Sequence, residues 1–294
     1  MDKTKREKLA QKAREREAEE VGCGGLLRGI ARNLHTGDEW EAEVAHKIDG
    51  PFYCPQCFSD VVIRKCAEKV DHFAHKARVS PVLGPKSKHL HDACAVEFRD
   101  AIGARYPDKR WEKERPIPAS QKRKIPMLVP DVSGRMGDIA VAIEIQVSAM
   151  TLPKLLKRTR DYARRGINLV WVVPLSKPLG SDPFRPRLYE RYLHSIFFGR
   201  VYYWWPGLGA NVWPVHYGPA QRMLEYREWR QDGEDRSSGG YEVTYKVIRT
   251  PVYGPLLNLC DDFKAVARKS FTPDNERKAV PACLIWHDTL PQWW

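Results

Sequence analysis

No stretch of this 294-residue chain stays apolar long enough to span a bilayer as a helix. The most aromatic stretch, residues 196–215, is broken by Arg200, Pro206 and several glycines well before the roughly 20 residues that a crossing needs. Nor do the N-terminal residues read as an apolar leader. Residues 3–20 mix Lys and Arg with Glu, so neither a secretory signal nor a transit peptide is expected, and the expected compartment is the cytoplasm. Cysteine is sparse and odd in number, seven in all, which fits a reducing environment better than a disulfide framework. Acidic residues are outnumbered: 37 Asp and Glu face 49 Lys and Arg, for a formal net charge of +12. That surplus favours polyanionic partners through phosphate neutralisation, without choosing among DNA, RNA and an anionic membrane surface. There is no internal repeat. What remains is ordinary globular usage, 43% hydrophobic and 29% charged, on a chain long enough for a sizeable core with accessory modules.

Four regions follow from changes in pattern. Residues 1–25 form a charged arm, 26–84 a small cysteine-bearing module, 85–180 an α/β core and 181–294 a Pro- and aromatic-rich accessory region. Pro81, Gly84 and Pro85 mark a linker before the core. In the core, Leu90, Ala93, Cys94, Phe98, Ala101 and Ile102 recur at helical spacing. Two Val- and Ile-rich runs, 125–132 and 138–147, flank a turn-like insert and predict a hairpin. Thr151 is placed to cap a helix over 152–165, with Pro153 in its first turn and Gly166 just past its end. Residues 167–173 then read as a buried strand. The Tyr202, Tyr203, Trp204 and Trp205 cluster is expected in the core, with stacking on unpaired bases as the alternative.

Side chains alternate along a strand, so the second hairpin run places Ile139, Val141, Ile143, Ile145 and Val147 on one face and Ala140, Ala142, Glu144 and Gln146 on the other. A carboxylate in a sheet needs solvent, a cation or a basic partner. Asp131, close to the hairpin, is expected beside Glu144. Two adjacent carboxylates repel unless a divalent ion lies between them, and Mg²⁺ or Mn²⁺ accepts such a pair together with waters and phosphate oxygens. Phosphodiester hydrolysis is the chemistry such a site supports. Gln146 can orient water or hold a phosphate oxygen but brings no charge. On the next helix Arg158 and Tyr162 are neighbours able to contact phosphate. The alternative is structural: Asp131 caps a turn, Glu144 pairs with Arg158 and Tyr162 packs.

Upstream, Cys54-x₂-Cys57 is followed by His72-x₂-His75. Tetrahedral zinc takes four sulfur or nitrogen donors, and a Cys-x₂-Cys turn supplies two of them. A β-rich zinc knuckle with Cys54, Cys57, His72 and His75 as ligands is expected. Cys66 could replace one histidine, or the cysteines could be reduced and simply packed.

At these residues the sequence resembles the PD-(D/E)XK nuclease superfamily and, more narrowly, the competence protein CoiA family. Pro130-Asp131, the Ala142 to Ser148 stretch around Glu144 and Gln146, the Arg158 to Tyr162 stretch, and residues 167–174 carry the likeness, together with the Cys-Pro-x-Cys and His-Phe-Ala-His of the upstream module. The resemblance implies a restriction-endonuclease-like α/β core behind a zinc knuckle, with Asp131 and Glu144 binding Mg²⁺ and a supporting carboxylate from the first core helix, for which Glu97 is the match. Gln146 stands where the superfamily most often has Lys. The function implied is cleavage of DNA, with single-stranded or incoming DNA favoured, in uptake, recombination or defence. A catalytically weak DNA-binding adaptor that engages recombination or uptake proteins is the alternative.

Overall fold

The computed structural model describes the chain except residues 1–6, 10, 13, 16–17, 19–22, 24, 57–59, 66–69, 77–87, 123, 148–149, 225, 232–233, 239 and 275. Cys57, Cys66 and the expected linker at 81–85 therefore lie outside the described residues. Two compact units emerge. One comprises residues 1–80, 182–188 and 218–250, and the other 81–181, 189–217 and 251–294. Beyond residue 180, residues 182–188 and 218–250 go with the first unit and 189–217 and 251–294 with the second.

The smaller unit holds a five-stranded antiparallel sheet of β1 (Ile30–Asn33), β2 (Glu39–Glu41), β3 (Phe52–Tyr53), β4 (Asp60–Arg64) and β5 (His72–His75), in the order β2-β1-β3-β4-β5. In β4 the alternation is strict: Val61 and Ile63 are buried while Val62 and Arg64 are exposed. Across the ladder Val61 pairs with His75, Ile63 with Phe73 and Arg64 with His72. One face therefore carries Val61, Ile63, Phe73 and His75, where Phe52 and Phe73 meet edge to face at 5.1 Å. This core is small, with Leu26, Ala31, Ala42, Ala45 and two cysteines completing it.

The larger unit is built on a mixed sheet. Helix α1 (Lys88–Arg105) precedes β6 (Glu112–Lys113), β7 (Val132–Met136) and β8 (Ile139–Ile145). Helix α2 (Leu152–Arg164) leads to β9 (Asn168–Pro174), and α3 (Leu188–Ile196) to β10 (Val201–Trp204). Strand β11 (Asn211–Leu224) follows; the separate hairpin of β12 (Arg227–Gln231) and β13 (Glu234–Ser238) belongs to the smaller unit. The chain ends with β14 (Tyr241–Tyr253), β15 (Leu257–Asn258), β16 (Phe263–Arg268) and β17 (Cys283–Asp288). The main order is β14-β11-β10-β9-β8-β7-β6, with β17 also pairing with β9. Strands β8, β9 and β10 are parallel, joined through α2 and α3. Helices cover both faces: Phe98 of α1 meets Trp204 at 6.1 Å on one side, and Tyr203 donates to Glu190 of α3 at 2.8 Å on the other. The result is an α/β layered core, with Tyr202, Tyr203 and Trp204 fully buried in it.

Two local expectations shift. The hairpin turn is Gly137-Asp138, with Met136 opposite Ile139, so the first strand begins at Val132, where the expected one ended. Gly137 at φ +59° is the first central residue of this two-residue turn, a position where glycine meets no steric penalty. Residues 117–128, containing Pro118 and Pro126, form only isolated bridges, Ile117 with Leu128 and Ser120 with Ile125. In α2 the N-terminus falls at Thr151, but its side chain makes no capping bond. The other end matches expectation: Gly166 at φ +72° follows the helix, with Ile167 N–H donating to Tyr162 O and Gly166 N–H to Ala163 O, a Schellman closure.

Candidate active site and metal cluster

The ladder that pairs Val132 with Ile143 places Asp131 opposite Glu144 one step further on. Asp131 is tied to that strand directly, its Oδ2 accepting the Ile145 N–H at 2.7 Å. Glu144 lies one register step from the sheet centre, paired with Trp171 of β9, and is 3% exposed. The face expected to be polar is therefore covered. Helix α2 covers it, with Leu152, Leu155, Thr159 and Tyr162 among its buried residues.

Glu144 Oε1 accepts from both the Arg158 guanidinium and the Tyr162 hydroxyl. Arg158 also donates to Val129 O at 3.0 Å and lies 3.4 Å from Tyr162 Oη. Burial raises the Glu144 carboxyl to about 7, Asp131 adds to the rise, and Arg158 and Tyr162 oppose it. The Tyr162 hydroxyl is pushed far up by burial and by Glu144, so it stays a proton donor. Both the structural pairing and the carboxylate juxtaposition read from the sequence thus coexist at one place. Gln146 is 7% exposed, and its N–H donates to Val172 O at 2.9 Å, fixing it at the end of β8 beside β9.

Two α1 residues divide differently from expectation. Glu97 is engaged elsewhere: its carboxylate accepts the N–H groups of Gly207 and Gly209 at 2.9 to 3.2 Å, tying down the turn after β10. His91, one or two helical turns earlier, is the α1 residue that reaches the site, with Nε2 3.3 Å from Asp131 Oδ1 and Nδ1 3.3 Å from Asp92. The Asp131 hydrogen bond raises the imidazole above its usual range. Its only sequence signal is helical spacing on a face shared with Cys94 and Phe98.

Two carboxylates on neighbouring strands form a donor set chemically suited to one hard divalent cation completed by water and phosphate oxygens. Among the described residues, no third Cys, His, Asp or Glu gathers with them as a metal-binding group. Arg158 Nε is buried without a hydrogen-bond partner among the described residues.

In the smaller unit the cluster differs from the expected set. Cys54, just after β3, and His75, at the end of β5, come together with Cys23, their donor atoms all within 4.8 Å of one another and all three residues buried. His72 is not among them. Three residues from His75 along a strand, it belongs to the opposite face, across from the exposed Arg64, with Nδ1 3.2 Å from Val70 O. Cys23 carries no local spacing signal and was missed.

Two family models match the chain: the N-terminal domain of competence protein CoiA over residues 37–80, and the CoiA nuclease-like domain over residues 111–184. The competence protein CoiA of Bacillus subtilis (strain 168) is 26% identical over 133 residues, covering 43% of this chain and 32% of that protein. These matches support the CoiA family. No solved structure matches. The alignment thus spans about a third of the Bacillus CoiA relative. Cys54 and His75 fall in the CoiA N-terminal match, and Asp131, Glu144, Gln146, Arg158 and Tyr162 in the nuclease-like one. Cys23 and His91, the two residues missed from sequence, lie outside both.

Proposed function

We propose that the chain is a divalent-metal-dependent nuclease of the PD-(D/E)XK kind, CoiA-like, acting on DNA, with single-stranded or incoming DNA as the favoured substrate in uptake or recombination. The observation that carries this reading is the cross-strand placement of Asp131 and Glu144 within the segment matching the nuclease-like model. Asp131 and Glu144 would hold Mg²⁺ or Mn²⁺, which when bound polarises a phosphate and acidifies water. The chain's own residues supply the rest. Arg158 brings the positive charge that Gln146 lacks, and its unpartnered Nε gives a phosphate oxygen a donor. Tyr162 holds the orientation of Glu144, Gln146 positions water or phosphate, and Asp131 is fixed by the Ile145 N–H and His91. In the smaller unit the soft sulfur and nitrogen donors favour zinc.

The deciding measurement is cleavage of single- and double-stranded DNA with Mg²⁺ or Mn²⁺ by the parent protein and Glu144→Ala. A loss of at least about 100-fold in the variant is expected, on the scale of removing a group that stabilises developing charge. Equal turnover by both proteins would overturn the assignment. A second reading, a DNA-binding adaptor without cleavage, draws on the Arg158–Glu144 ion pair and on Gln146 in place of Lys. It predicts no cleavage by the parent, together with salt-sensitive DNA binding that Glu144→Ala leaves intact.

A further inference from the structure

We propose that Cys23 is a zinc ligand together with Cys54 and His75, and that the segment carrying Cys23 and Gly25 is a clasp closed over the Cys54 turn by the metal. The proposal rests on reading this unit as a zinc module and is independent of any nuclease activity.

Three observations converge. The Cys23 and Cys54 sulfurs are 3.7 Å apart. Two thiolates sharing one tetrahedral zinc at about 2.3 Å stand about 3.8 Å from each other, whereas a disulfide needs about 2.05 Å. Simple contact between two thiols would give a similar separation, so the third donor matters. His75 occupies the buried face of β5 beside Phe73, and its ring reaches both sulfurs. A neutral imidazole nitrogen beside two thiol sulfurs is a donor set that suits zinc. The third observation is Gly25. A Cβ there would stand 2.3 Å from Cys54 Sγ and 2.6 Å from Gln56 Cβ. Only a residue without a side chain lets the backbone pass this close to the ligand turn.

The three donors come from a loop before β1, the turn after β3 and the end of β5. One ion would therefore bind the upstream segment to the sheet. Cys57 lies outside the described residues. His72, on the other face, is freed from the ligand role.

The test uses the full chain. Zinc is measured by mass spectrometry of the purified protein, and affinity by competition with a chromophoric chelator. About one zinc per chain is expected in the parent, held as tightly in His72→Ala. At least about 10-fold weaker retention is expected in Cys23→Ser and in Gly25→Val, with rescue in Cys23→His. Because Cys23→Ser could simply unfold the unit, the unaltered protein is also alkylated with iodoacetamide. Chelation should make Cys23 and Cys54 reactive together while buried Cys94 of the other unit stays protected. A metal-free parent protein overturns the zinc reading altogether. Zinc retained fully in Cys23→Ser, lost in His72→Ala, or a Cys23 whose reactivity ignores chelation, overturns the clasp alone.

Discussion

Cys23, Cys54 and His75 are gathered from three segments onto a five-stranded sheet with few large apolar side chains. Asp131 and Glu144 instead lie on neighbouring strands of a ten-stranded sheet with helices on both faces. An ion held by the first group would tie the segment before β1 to the sheet. In the second, Arg158 and Tyr162 already compensate the buried carboxylate, so the strands and α2 need no ion to pack. A small core gains most from a metal cross-link, while a large one can carry a polar site as an internal load.

The contrast is sharpest under chelation. Removing metal from the full chain should strip hydrogen-exchange protection from residues 30–75, a loss of several kcal/mol on the scale of structural zinc, while β8, β9 and α2 keep theirs. Uniform loss in both units would break the comparison. A smaller effect tests the internal load. The Glu144 carboxyl sits at about 7 in the folded protein against the ordinary 4.5 of a solvated glutamate, so the folded form holds its proton more tightly than the unfolded chain. Stability should therefore fall as pH rises from about 4.5 to about 7 and level off above, by roughly 3 kcal/mol from this group. Glu144→Gln should remove that part of the slope, read as denaturation midpoints from pH 4.5 to 8. Parallel curves for parent and variant would refute the assignment of the slope to Glu144. The smallest effect concerns packing alone. At Gly134 in β7, a Cβ would stand 2.5 Å from the Trp111 ring. Gly134→Ala should lower the stability of the larger unit by about 1–3 kcal/mol and leave zinc content unchanged.

That glycine also explains what was legible in the sequence. Alternation over 139–147 gave the second hairpin strand and the shared face of Glu144 and Gln146. Gly134 read as a turn residue, although in the structure it stays in the strand because Trp111 packs against it. The strand start was misplaced for a related reason, since prolines at 118 and 126 leave the preceding run with single bridges rather than a ladder. Helices α1 and α2 were readable from apolar spacing and from Gly166. The histidine pair held its own correction: once His72 and His75 lie on a strand, a separation of three sends them to opposite faces. Cys23 offered no such signal and His91 only its helical spacing, because their partners are brought near by the tertiary fold. Glu97 was matched by position on α1, and only the Gly207 and Gly209 amides reveal where its carboxylate goes.

Each unit is assembled from stretches separated along the chain, and β9, in the middle of the larger sheet, is completed by Ile285 of β17 pairing with Leu169. A nascent chain emerging from the ribosome would expose the nuclease-like segment long before its last strand arrives. Such high contact order slows folding. The 111–184 segment expressed alone would present an open strand edge to its neighbours, and aggregation is its expected fate.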